Sequence, residues 1–205
     1  SQAGSTALML ASWGGHAACV SALLERGAAL NHADVIGITA LMLASLGGHT
    51  ACVSALLEHG AAIDRARPDG ATALMLASQD GHAACVSTLL ELGAAMDLAS
   101  QAGSTALMLA SWGGHAACVS ALLERGAALN HADVIGITAL MLASLGGHTA
   151  CVSALLEHGA AIDRARPDGA TALMLASQDG HAACVSTLLE LGAAMDLASQ
   201  AGSTA

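Results

Sequence analysis

The side chains best suited to chemistry in this sequence are its histidines and cysteines, which recur together as His-x-x-Cys. His16 precedes Cys19, His49 precedes Cys52, His82 precedes Cys85, and the pattern returns three times after residue 100. Imidazole and thiolate are common zinc ligands, and residues at i and i+3 share a helix face. A closed zinc site needs four ligands, however, and the next pair lies one repeat away. Neighbouring helices stand about 8–10 Å apart, too far for one tetrahedral centre. The same spacing argues against disulfides, which require Cα atoms within about 7 Å. The thiols therefore read as small core residues. Catalysis finds no better footing. The chain has no lysine, so it offers no P-loop lysine, Schiff base or lysine base. It contains neither G-x-S-x-G nor a strand followed by a phosphate-cradling glycine loop. Ser, His and Asp are plentiful, yet each recurs at a fixed register. A catalytic site is a single constellation, so a feature copied six times reads as scaffold. The expectation is a non-enzyme with no cofactor, no metal and no small-molecule substrate.

The elements that carry these residues follow from composition and repetition. Of 205 residues, 55% are hydrophobic but only 1% aromatic, with neither Phe nor Tyr. Aliphatic and small side chains without aromatics suit thin, repeated helix-on-helix contacts. Six arginines against sixteen acids leave a formal charge of −10, which repels nucleic acid and anionic lipid. The uncharged stretches 1–24 and 35–57 do not read as membrane spans, because Gly-Gly-His splits each into two short helices.

Residues 1–99 recur unchanged as 100–198, and a further copy starts at Ser199. Within the block, Thr6, Thr39 and Thr72 each open the heptapeptide TALMLAS, which sets a 33-residue unit. The chain is thus one array of units 1–33, 34–66, 67–99, 100–132, 133–165 and 166–198, with a partial seventh at 199–205. In each unit a capping Thr precedes a short helical run, as Thr39 precedes Ala40–Ser45, and Gly47-Gly48 breaks it. A second helix follows His49, with Cys52, Val53, Leu56 and Leu57 on one apolar face. Gly60 stands where a left-handed C-terminal residue belongs, and Arg67-Pro68-Asp69-Gly70 is a turn.

On these residues the sequence resembles the ankyrin-repeat family. In the second unit the matching positions are Asp34, Gly37, Thr39, Leu41, Leu43, Ala44, Gly48-His49, Val53, Leu56-Leu57, Gly60-Ala61 and Asp64. The resemblance implies an all-α solenoid, a stack of helix-turn-helix units joined by β-hairpin-like loops. The Pro and His of the family's T-P-L-H are replaced by Ala40 and Met42, and likewise in every unit. This should cost some rigidity but not the fold.

The resemblance also implies that the hairpin tips and the ends of the first helices line a concave binding face. There the three units of a block differ. The first helix ends in Trp13, Leu46 or Gln79, followed by Gly14, Gly47 or Asp80. The hairpins carry Gln2, Ala3 and Ser5, then Val35, Ile36 and Ile38, then Pro68, Asp69 and Ala71. The second block repeats the pattern with Trp112, Val134, Ile135, Ile137, Leu145, Gln178 and Asp179. An apolar cluster rimmed by polar units marks a contact surface, the other possibility being packing between adjacent hairpins. The start at Ser1 without Met, and the absence of polar capping units, suggest a window of a longer or processed chain. Unprotected ends would also allow molecules to stack head to tail. The leading expectation is a structural, self-assembling array whose partner is another copy of itself, end to end or laterally. The alternative is a scaffold that binds a different protein through the concave face.

Overall fold

The computed structural model describes residues 4–198, and these form twelve helices in six successive pairs. The first helix of each pair has seven residues: α1 (Ala7–Trp13), α3 (Ala40–Leu46), α5 (Ala73–Gln79), α7 (Ala106–Trp112), α9 (Ala139–Leu145) and α11 (Ala172–Gln178). The second has nine: α2 (Ala17–Glu25), α4 (Thr50–Glu58), α6 (Ala83–Glu91), α8 (Ala116–Glu124), α10 (Thr149–Glu157) and α12 (Ala182–Glu190). First helices pack on first helices of the neighbouring units, second on second, and each pair on itself. The result is an all-α solenoid two helices thick. The longest described helix has nine residues, too short to cross a membrane, and no described helix can do so.

Local chemistry explains each element. Ala, Leu and Met are strong helix formers, and Thr39 starts the run by accepting the Met42 N–H at 3.3 Å on its Oγ1. Gly48 ends it with φ +70°, while the Gly48 and His49 amides donate to the Ser45 and Ala44 carbonyls. That double bond with a left-handed glycine is a Schellman cap. Gly60 closes α4 in the same way, its N–H reaching Leu57 and that of Ala61 reaching Leu56. Between pairs the chain turns in a hairpin. Asp34 Oδ1 accepts from the Ile36 and Ile38 amides, and a single antiparallel bridge joins Ala33 to Thr39. Ala132 and Thr138 form the equivalent bridge one block later.

The core is a strip, not a ball. In α3 every residue from Ala40 to Ser45 is buried, whereas α4 buries one face through Cys52, Val53 and Leu56. Small alanines on the inner row let helices approach closely, so thin units can fill the space without aromatics. Met42, which stands where the family's motif has His, is almost wholly buried. A flexible thioether thus fills the position of a polar tie.

Candidate protein-binding face

Two rows of polar ties set the spacing of the units. The ring Nε2 of His49 donates to the Trp13 carbonyl at 3.0 Å, that of His82 to Leu46 at 2.9 Å, and that of His115 to Gln79 at 2.9 Å. His148 and His181 repeat this on Trp112 and Leu145. A carbonyl can only accept, so each Nε2 carries the proton. Each histidine therefore captures the last carbonyl of the preceding unit's first helix. The ring sits so close that a Cβ on Gly48 would lie 2.5 Å from His82 Nδ1. At the opposite edge, the side-chain oxygen of Asn31 accepts from Ala62 N, and that of Asp64 from Ala95 N, both at 2.9 Å. The outcome for the His-x-x-Cys pairs is a separation of roles: the imidazole serves the seam while the thiol enters the core. Among the described residues no three His, Cys, Asp or Glu side chains group to hold a metal.

Five of the six thiols are buried, from Cys52 to Cys184. Burial is the largest influence on Cys118 and Cys151, whose pKa values it pushes up to about 11, with Cys151 and Cys85 adding to it at Cys118 and Cys184 at Cys151. Cys19 departs from the expected pattern and is exposed. Its counterparts lean on the preceding unit, as when Cys85 meets Thr50 Oγ1 at 3.3 Å.

The tied carbonyls bring the ends of the first helices into one line, and their side chains make the candidate face. Between units 1 and 2 lies a cleft of about 330 Å³ lined by Ser5, Leu10, Trp13, Ile38, Leu43 and Leu46. Trp13 is 54% exposed and Trp112 52%, so both indoles stand largely in solvent. Leu46 and Leu145 are half-buried, and Gln79, Asp80, Gln178 and Asp179 are exposed. Val35, Ile36, Val134 and Ile135 are exposed at the hairpins, where Ile135 joins Arg166, Pro167 and Asp168 around a second hollow. The Arg166 guanidinium, hydrogen-bonded to Asp168, holds that carboxyl down at about 2.

Two expected contact residues need correction. Ile38 and Ile137 are only 7% and 8% exposed and belong to the core cluster. Only Gly37 separates Ile36 from Ile38, yet the turn held by Asp34 sends the first outward and the second inward. Ile38 thus serves the cleft as its floor. Gln2 and Ala3 lie outside the described residues. The cleft also contains Leu10 and Leu43, which the sequence did not single out. Both belong to the unvarying TALMLAS, so variation between units carried no signal for them.

The sequence matches the family described as ankyrin repeats (3 copies) over residues 1–67, 62–133 and 127–199. No curated protein matches it. The human ASB11 ankyrin repeat domain is similar in structure, with a TM-score of 0.90 at 30% identity over 98% of this chain and 90% of that one. The ankyrin repeat domain of Bcl-3, described as a unique member of the IkappaB protein family, has a TM-score of 0.85 at 28% identity, over 98% and 92%. The period, the helix pairs, the left-handed glycines and these matches agree: the chain belongs to the ankyrin-repeat family, whose domains are in general non-catalytic modules that bind other proteins.

Proposed function

We propose that this chain is a protein-interaction scaffold that grips a different protein through the face built from the first-helix ends and hairpins. One observation carries the reading: both tryptophans, the only aromatic residues in the chain, stand largely in solvent, Trp13 at an apolar cleft with Leu46. An indole costs solvation when exposed and is an effective binding anchor when covered, because it buries much area with little entropy loss. The neighbours also favour this reading over a self-assembling filament, since both are described as ankyrin repeat domains and neither as a filament.

Selection of peptides from a random display library tests the reading. The selected peptides are then titrated into the chain, with calorimetric heat as the readout, which needs no tryptophan in either partner. Trp13→Ala combined with Trp112→Ala should lose at least tenfold in affinity while helicity by circular dichroism stays unchanged. Selected peptides that bind the double variant as tightly as the parent would overturn it.

A further inference from the structure

One unit beyond the apolar cleft, Asp80 stands without an ion-pair partner among the described residues. The residue after the first helix is Gly14 in unit 1 and Gly47 in unit 2, but Asp80 in unit 3. Asp80 is exposed, and among the described residues it has no ion pair, the three present being Arg67–Asp69, Arg125–Glu91 and Arg166–Asp168. It also caps the carbonyl end of α5, where the helix dipole disfavours an anion and favours a cation. With a net charge of −10, the chain as a whole also attracts cations. Asp179 holds the same position at the end of α11, one block on.

Resting on the scaffold reading above, we propose that the face is a bivalent receptor for extended, basic segments. Each segment places an apolar side chain in the Trp13–Leu46 cleft and an arginine or lysine on Asp80. The second site uses Trp112, Leu145 and Asp179. Stacked helices lie about 8–10 Å apart, so the carboxylate lies some 12–15 Å beyond the cleft. At about 3.3 Å per residue, that is four residues of extended chain. The two sites lie three units apart, about 24–30 Å, or roughly seven to nine residues from one apolar anchor to the next. Because the blocks are identical in sequence, both sites select the same segment, and a partner that carries it twice gains by linkage without any new contact.

The test uses tryptophan-free synthetic peptides on a Ser/Ala background, read by indole fluorescence and calorimetric stoichiometry. One peptide carries Leu and Arg four residues apart, a second Leu and Glu, and a third carries the Leu–Arg pair twice with its leucines nine residues apart. The Leu–Arg peptide should bind at two sites and the Leu–Glu peptide at least fivefold more weakly. Asp80→Asn with Asp179→Asn should erase that difference. The doubled peptide should bind at least tenfold tighter than the single one, and Trp112→Ala should remove that gain while leaving one site intact. Equal binding of the Arg and Glu peptides, or a doubled peptide no tighter than the single one, overturns the proposal. The scaffold reading survives that outcome if library-selected peptides still depend on the tryptophans, and both fall if they do not.

Discussion

The seam between units and the edge proposed as the binding face are built by opposite rules. At each described seam one set of side chains recurs: a histidine on the preceding carbonyl, a glycine beneath its ring, and a thiol and a leucine inside. At the edge, Trp13, Leu46 and Gln79 succeed one another on the same backbone. The difference teaches where each kind of information resides. The histidine ties use backbone carbonyls, so they tolerate any side chain on the residue that supplies the oxygen. Recognition can therefore change from unit to unit while the stack keeps one geometry.

If this division holds, damage at the seam should cost stability and damage at the edge should not. Leu122 is fully buried in α8, and Leu122→Ala is expected to cost about 2–5 kcal/mol in urea unfolding. Val134→Ala, at an exposed hairpin in the next unit, should stay within about 0.5 kcal/mol.

A pair of glycines separates backbone strain from the tie itself. Gly48→Ala and Gly60→Ala both force alanine into a left-handed conformation, at φ +70° and +88°. Only the first places a Cβ against His82, since nothing lies within 4 Å of the second. Gly60→Ala should cost about 1–2 kcal/mol. Gly48→Ala should cost roughly 1 kcal/mol more by displacing the bond from His82 to Leu46. Equal losses would show that the ring yields freely and that the seam is looser than described.

Alkaline titration probes the thiols. With neither Lys nor Tyr in the sequence, cysteines are the side chains that ionise between about pH 8.5 and 12. For Cys118 and Cys151 the folded pKa is raised from 9.0 to about 11, so the folded chain holds these protons longer than the unfolded one. Their contribution is complete below pH 9 and is lost as pH rises through 11. Melting temperature should fall across that window, and Cys118→Ala with Cys151→Ala should flatten the fall. An unchanged slope in the double variant would place the alkaline effect elsewhere.

One further substitution has an effect of the opposite sign. Ser45 and Ser78 close TALMLAS with buried hydroxyls that have no hydrogen-bond partner. Ser45→Ala removes an unsatisfied group and improves helix propensity, so it should stabilise the chain by about 1 kcal/mol in the same urea assay. A loss instead would show that the hydroxyl finds a partner in solution.

Most of the fold was legible because its determinants are local and repeated. Thr39, Gly48, His49 and Gly60 mark helix ends through hydrogen bonds to residues three to five positions away, and a 33-residue period multiplies that signal. The site was legible only in part. Trp13 and Leu46 stand out because they vary between units, whereas Leu10 and Leu43 are hidden by their constancy. Ile36 and Ile38 share residue type and hairpin, so composition could not tell the exposed one from the buried one.

The sequence by itself determined the unit, its helices, its charge and the absence of a lysine-based chemistry, all set by neighbours along the chain or by composition. Tertiary structure alone decided which apolar residues meet. Residues 36 positions apart touch when a histidine reaches the preceding unit, and residues 33 apart line one cleft. Such contacts depend on how one unit sits on the next, a relation that burial and the carbonyl ties establish together and that no stretch of 33 residues contains.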